Sequence, residues 1–156
     1  MSISELQDLL QQRNHWKKAG YTVVFTNGCF DLLHPGHIDY LQKARHLGDV
    51  LIVGLNDDDS IRRLKGEQRP VNILADRQQM LLALKSVDAV ISFSEDTPLN
   101  LIRALQPDIL VKGGDYQVDN IVGADDVRKN GGKVITIPFL EGYSSSQLIH
   151  RIRQLH

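Results

Sequence analysis

Two histidines bracket a Pro-Gly pair in the stretch TNGCFDLLHPGH, residues 26–37, and the apolar run YTVVFT leads directly into it. Gly28 and Gly36 permit close backbone approaches that a side chain would obstruct. His34 and His37 stand near the start of the helix that follows, where unpaired N–H groups and the helix dipole favour an anion. Imidazoles so placed donate hydrogen bonds to phosphate oxygens, and a phosphate held beside them raises their pKa values. The blander uses of such a pair are a helix cap and a metal site. A cap requires one residue rather than two histidines and two glycines. The pair also lacks the i, i+4 spacing and third ligand of a metalloprotease-type zinc site, so no residue is assigned to a metal.

A second anion cradle lies in FLEGYSSSQLI, residues 139–149. Ser144 followed by Gln147 matches a capping box, which predicts a helix start there and turns the N–H groups and hydroxyls of Ser145 and Ser146 outward. In isolation the same pattern describes a plain cap; its partnership with the first turn is what points to phosphate. Between the two turns, RRLKGEQRP offers Arg62, Arg63, Lys65 and Arg69 on a loop able to swing a cation onto a polyphosphate. Basic runs are commonly solvated faces, and of the four only Lys65 joins His34 and His37 as a catalytic candidate. Arg77 follows Asp76 at a predicted helix start, an unfavourable place for a cation by the dipole argument, which suits either a ligand or a paired carboxylate. LVKGGDY contributes Lys112, two turn glycines and Asp115, and Asp31 shares the first turn. Cys29, the single cysteine, reads as a small packed residue, since no base is specified beside it.

Something must hold these turns together. Apolar runs TVVF, VLIVGL, AVISF, ILVKG and KVITI alternate with segments of helical spacing, the pattern of βα units building a parallel sheet. The expectation is a single α/β domain over residues 1–156: a Rossmann-like three-layer sandwich with a five-stranded parallel sheet and helices on both faces. A helix over 2–19 precedes the first strand, opened by the capping box Ser2–Glu5. Helices are further predicted at HIDYLQKARHLG, NDDDSIRRL, ADRQQMLLALKSV, TPLNLIRALQ (with Pro98 in its first turn), DNIVGADDVRKNGG and SSSQLIHRIRQL. In such sheets ligands bind beyond the carboxyl ends of the strands, where strand order reverses. Those are the turns that carry the residues above.

Lys plus Arg number 18 against 19 Asp plus Glu, a formal charge of -1, so no global field favours nucleic acid or an anionic membrane. With a lone cysteine, no apolar signal segment and no run near the ~20 residues that span a bilayer, the expectation is a cytoplasmic protein. There is no GxxxxGK[ST], no GxGxxG after the first strand and no GxSxG, which argues against P-loop, dinucleotide-dehydrogenase and serine-hydrolase chemistry.

GCFDLLHPGH resembles the G-x-F-D-x-x-H-x-G-H signature of the cytidylyltransferase-like nucleotidyltransferases, and EGYSSS resembles their later R-T-E-G-I-S-T-T signature. Within them, RLKGEQRPVN, EDTP, LVKGGDY and EGYSSSQLI resemble the heptose 1-phosphate adenylyltransferases. The resemblance implies transfer of AMP from ATP to D-glycero-β-D-manno-heptose 1-phosphate, giving ADP-heptose for lipopolysaccharide core synthesis. It implies that His34 and His37 contact the phosphates and that Lys65 with Ser145 and Ser146 grips the β and γ phosphates. The nucleotide would also meet Asn27, Gly28, Cys29, Phe30 and Gly36 of the first turn, Arg77, Gly114 and Asp115, and Gly142 and Ser144 of the last turn. Asp31 and Lys112 would face the sugar phosphate. Mg²⁺ would ride on the phosphates with few protein ligands. The expected partners are ATP, a sugar 1-phosphate, a second copy in a homodimer and a separate sugar kinase upstream. The family's Arg-Thr is Phe139-Leu140 in this chain, which removes one phosphate contact, whereas Ser145-Ser146 keeps the hydroxyls of Thr-Thr. Competing readings are a cytidylyltransferase acting on glycerol 3-phosphate or another small phosphate ester, and a nucleotide-sensing module without turnover.

Overall fold

The computed structural model describes residues 2–114 and 116–155; the expectation for Asp115 lies outside them. Five parallel strands form one sheet in the order β3-β2-β1-β4-β5: β1 (Val23–Gly28), β2 (Val50–Asn56), β3 (Ala89–Phe93), β4 (Ile109–Gly113) and β5 (Lys133–Ile137). β1 is central, paired with β2 on one side (Val23 opposite Val50) and β4 on the other (Val24 opposite Ile109). The winding therefore reverses between β1 and β4, and a crevice opens beyond their carboxyl ends.

The pleat decides the layers. Alternate residues of a strand point to opposite faces: Val23 and Phe25 of β1 and Val50 and Ile52 of β2 enter one core, with helices α1 (Ile3–Lys18), α5 (Leu99–Leu105) and α6 (Ala124–Lys129). Val24 of β1 and Leu51, Val53 and Leu55 of β2 enter the other, with α2 (Pro35–Arg45) and α4 (Leu74–Leu82). Each fully buried Val, Leu or Ile contributes about 1.5–3 kcal/mol, so the central strands, apolar on both faces, anchor the fold. This is the expected three-layer α/β sandwich. Helices α3 (Asp58–Lys65) and α7 (Ser145–Arg153) complete the seven among the described residues.

α1 begins at the predicted capping box: Glu5 N donates to Ser2 Oγ (3.2 Å) and Ser2 N donates to the Glu5 carboxylate (2.7 Å). Its Arg13, 4% exposed, donates to the carbonyl of Leu105 (2.6 Å) and to that of Gln106, stapling α1 to the end of α5. Two predicted helices differ in detail. Pro98 stands one place before α5, as its N-cap. The helix predicted at DNIVGADDVRKNGG, residues 119–132, divides into a 3₁₀ turn (Val118–Asn120) and α6. Gly123 causes the break: it takes φ +83, and a Cβ there would lie 2.8 Å from Ile102.

Candidate active site

The crevice at the β1/β4 reversal is a cleft of about 360 Å³. The first turn enters it through strain. Phe30 adopts a left-handed φ of 45 while only 5% exposed, a conformation costing about 1–3 kcal/mol that persists only where packing enforces it. Here the ring lies over Gly28, where a Cβ would come within 2.9 Å of it, and tilts against His37 at 5.2 Å. Phe30 is thus the wedge that fixes the His37 ring.

His34 is the N-cap residue of α2, yet its side chain makes no capping bond; Pro35 occupies the first helical turn, leaving the imidazole to the cleft. The His34 and His37 rings stack 3.8 Å apart at 22°. Gly36 between them is the position where a side chain is least tolerable: a Cβ would meet the His34 ring at 3.0 Å and Tyr143 Cβ at 3.1 Å. That second contact brings in the other turn. Tyr143 lies parallel to His34 with centroids 6.4 Å apart, Ser145 Oγ donates to the carbonyl of Leu32 (3.2 Å), and Ser144 Oγ accepts from Gln147 N (3.0 Å) to cap α7. The N-termini of α2 and α7 therefore open onto one cleft, which Ser144, Ser145 and Ser146 line. One detail changes: the Ser145 hydroxyl, expected to face outward, is spent on Leu32.

Burial lowers the pKa of His34. For His37, burial first, then the neighbouring charges of His34 and Lys65, push it down to about 4, opposed by the Leu32 carbonyl. With protein groups alone around them both rings are neutral at pH 7. A polyphosphate beside them acts in the opposite sense and favours the imidazolium. The depression sets a pH dependence. The unfolded chain protonates His37 near 6.5 and the folded chain only near 4, so the unfolded state binds more protons between those values. Stability is retained above pH 6.5 and falls as the pH drops toward 4, by about 1–3 kcal/mol from this group. Urea denaturation at pH 7 and pH 4.5 should show that loss in the wild type and a smaller one in His37→Ala; equal losses would contradict it.

The cations sort themselves by their partners. Arg62 pairs with Asp59 (2.5 Å) and Arg63 with Asp96 (2.9 Å) on the exposed side of α3, while Lys65 and Arg69 line the cleft. Lys112, at the end of β4, lines it too and sits 5.9 Å from the Tyr116 ring; burial lowers its pKa, partly offset by Cys29.

Of the residues expected at the site, Asn27, Gly28, Cys29, Phe30, Asp31, His34, Gly36, His37, Lys65, Lys112 and Ser144 to Ser146 line this cleft. Three do not. Gly142 lies at the turn before α7, and Gly114 lies behind the lining, its N–H donating to the Ile137 carbonyl (2.9 Å) and its backbone covered by Phe139. Arg77 is the larger correction. It is fully buried beneath the floor, donating to the carbonyls of Asn72 (3.0 Å), Cys29 (2.8 Å) and Asn56 (2.8 Å) and to Asp58 Oδ1 (2.7 Å). Of the two uses weighed for it, the carboxylate partner wins, because its α4 position points into the protein. Asp31 also changes role. Its 1%-exposed carboxylate accepts from Arg69 Nε (2.6 Å) and from the N–H groups of Val71 and Asn72 (2.9 and 2.8 Å), leaving it committed to the 69–72 loop rather than open to a sugar phosphate. Burial raises its pKa, but the amides of Asn72 and Val71 and the Arg69 guanidinium outweigh that and hold it below the ordinary carboxylate value.

Arg69 and Gly113 line it too, the one among the four basic candidates of the loop and the other a turn glycine of LVKGGDY, while sequence reasoning passed over Tyr40, Tyr116, Phe139, Leu140 and Tyr143 as lining residues. Tyr116 and Tyr143 stand inside motifs already singled out, and Phe139-Leu140 fills the place of the missing Arg-Thr. Nearness to the turn glycines Gly114 and Gly142 was the available signal for Tyr116 and Tyr143, and none marked Tyr40, which comes from α2.

One property unites the cleft. Among the described residues, the buried side-chain N and O atoms without a hydrogen-bond partner are Nδ1 of His34, Nδ1 of His37 and Nη2 of Arg69, and all three residues line it. Each such atom costs about 1–3 kcal/mol, a cost natural proteins carry where a ligand completes the bonds.

Sheet order, switch-point cleft and paired helix N-termini together define a Rossmann-like α/β protein with a cleft at the β1/β4 reversal. The chain belongs to the cytidylyltransferase-like family, which matches residues 25–151. It is 56% identical over 133 residues to the bifunctional protein HldE of Coxiella burnetii (strain RSA 493 / Nine Mile phase I), covering 85% of this chain and 28% of that protein. It is 53% identical over 152 residues to the bifunctional protein HldE of Nitrosococcus oceani, covering 97% of this chain and 32% of that one. The chain therefore spans less than a third of the length of these relatives. Among solved structures it resembles the lipopolysaccharide core biosynthesis protein from Thermoplasma volcanium GSS1, with TM-score 0.62 and 30% identity over 80% of this chain and 100% of that one. Pantoate-beta-alanine ligase from Francisella tularensis shares the fold, with TM-score 0.61 at 18% identity over 95% and 75% of the two chains. No helix of the described residues is long and apolar enough to cross a membrane.

Proposed function

We propose that this chain is a nucleotidyltransferase that joins AMP from ATP to D-glycero-β-D-manno-heptose 1-phosphate, giving ADP-heptose and pyrophosphate. The observation that carries this reading is the convergence of the unpartnered His34, His37 and Arg69 nitrogens on a cleft flanked by two helix N-termini. Membership of the cytidylyltransferase-like family, the likeness to HldE proteins and the likeness to a lipopolysaccharide core biosynthesis protein support the substrate assignment.

The anomeric phosphate of the heptose attacks the α-phosphorus of ATP in line. An O–P bond forms, the bond from Pα to the bridging oxygen breaks, and pyrophosphate leaves with the electron pair. The attacking oxygen is already ionised near neutral pH, so no protein nucleophile or base is needed, and catalysis consists of positioning and charge stabilisation. His34, His37 and Lys65 hold the phosphate oxygens, and the first turn of α7 receives the departing β and γ phosphates. Mg²⁺ fits this site as a passenger on the triphosphate that neutralises its charge: Asp31, the described carboxylate in the lining, has its oxygens occupied, and no group of three or more His, Cys, Asp or Glu gathers among the described residues.

The reading extends, on the family resemblance, to a single domain over 1–156 working in the cytoplasm as a homodimer on a sugar 1-phosphate supplied by a kinase. The test is a pyrophosphate-release screen crossing four nucleotides with heptose, hexose and glycerol phosphates. Signal confined to ATP with the heptose 1-phosphate is expected. Selective signal with CTP and glycerol 3-phosphate would overturn it, and nucleotide binding without release under any pair would identify a sensing module.

A further inference from the structure

Arg69 is the cation in this cleft whose geometry is fully prescribed. Its side chain is 13% exposed, and Nε donates to Asp31 Oδ2 at 2.6 Å, a carboxylate that is itself wholly desolvated. Asp31 holds the same loop by its backbone as well, accepting from Asn72 Nδ2 through its carbonyl (2.6 Å) while its carboxylate takes the amides of Val71 and Asn72. The guanidinium is therefore clamped at one edge, and its plane is set by a loop tied to the end of β1 at four points. Nη2, by contrast, is shielded from water and has no hydrogen-bond partner among the described residues. A purely structural Arg–Asp pair gains nothing from leaving that donor desolvated, because guanidinium and carboxylate can meet fork to fork with two parallel bonds. Here a single bond to the carboxylate is made, and Arg69 itself lines a cleft whose remaining lining is rich in phosphate-seeking groups.

We propose that Arg69 is a phosphate ligand of this site, its Nη2 donating to a phosphate oxygen of a bound substrate, and that Asp31 is the positioning residue that aims it. The inference deepens the nucleotidyltransferase reading and rests on it for the identity of the substrates, the oxygen belonging to either the triphosphate or the acceptor's phosphomonoester. Since Asp31 neutralises the net charge of the pair, Arg69 supplies direction more than long-range attraction. Lys65, which makes no ion pair among the described residues and is borne on the end of α3, supplies the attraction.

The experiment measures calorimetric affinity for ATP and, separately, for heptose 1-phosphate in the wild type, Arg69→Lys, Arg69→Gln and Asp31→Asn, with the melting temperature of each. Arg69→Lys keeps a charge but loses the fork, and is expected to lower affinity for one of the two ligands at least 10-fold, leave the other within 2-fold and hold the melting temperature close to wild type. Loss confined to ATP assigns Nη2 to the triphosphate; loss confined to the sugar phosphate assigns it to the acceptor. Asp31→Asn is expected to weaken the same ligand, because the aim is lost. Unchanged affinities in both Arg69 variants, or parallel losses that track a falling melting temperature, would overturn the proposal and leave Arg69 a loop fastener. The binding readout stands apart from turnover: a wild type that binds ATP without releasing pyrophosphate would sink the adenylyltransferase reading, while the ATP arm would still decide whether Arg69 holds phosphate.

Discussion

His37→Ala, and His34→Ala separately, should lower kcat for pyrophosphate release by at least ~100-fold while the chain stays folded, since loss of one preorganised donor to a developing charge typically costs 10²–10³ in rate. The arrangement of the two rings makes the effect large. Stacked at 3.8 Å and desolvated, they are held neutral by the protein alone, His37 with a pKa of about 4. They acquire donor strength as phosphate charge arrives beside them, and most where that charge concentrates on the way to pyrophosphate. An interaction strengthened in the transition state lowers kcat when removed, more than it raises the KM for ATP. Steady-state pyrophosphate release, with circular dichroism on each variant, measures both quantities. Near-normal kcat in either variant would withdraw that ring from catalysis, and a raised KM with kcat unchanged would reduce it to a binding contact.

Arg77→Met should cost about 3–5 kcal/mol of folding stability, the usual loss when one member of a buried ion pair is removed. Against a total of about 5–15 kcal/mol for a domain, this is the largest stability effect expected of a single polar change in this chain. The fully buried guanidinium satisfies the carbonyls of Cys29, Asn56 and Asn72 together with Asp58. Those groups come from the turn after β1, the end of β2, the loop before α4 and the start of α3. Methionine fills part of the volume and satisfies none of them. Since Cys29 and Asn72 flank the first turn and the loop that Asp31 clamps, ATP affinity should weaken along with stability. Urea denaturation followed by fluorescence of Trp16 measures the first and calorimetry below the transition measures the second. Unaltered stability with lost ATP affinity would return Arg77 to the nucleotide site.

The positions of the strands, the capping box at Ser2, the N-cap at Ser144 and the placement of both turns at strand ends could all be read from the chain, because each is a local property. Short continuous apolar runs bounded by turn residues make buried strands, and a side-chain oxygen three residues before an amide makes a cap. The two errors of detail in the helices, at Pro98 and Gly123, are also local. Pro98 lacks the N–H that a helix interior needs, and Gly123 takes a left-handed φ that ends one helical turn and begins another.

The cations mark where local reading ends. Arg62, Arg63, Lys65 and Arg69 lie within eight residues, and nothing in their spacing says which faces the ligand. Asp59 and Asp96 take the first two to the surface, whereas Asp31, 38 residues before Arg69, turns that one inward. Arg77 followed the same logic in the opposite direction: its partners lie 5, 19, 21 and 48 residues away along the chain, and three of the four are too distant for any local pattern to reveal. Composition and spacing determined the parallel five-stranded sheet and the chemistry that two histidines and three serines can perform. Only the tertiary structure decided which charges are desolvated together, because an ion's role depends on the partners the fold delivers to it, and those arrive from elsewhere in the sequence.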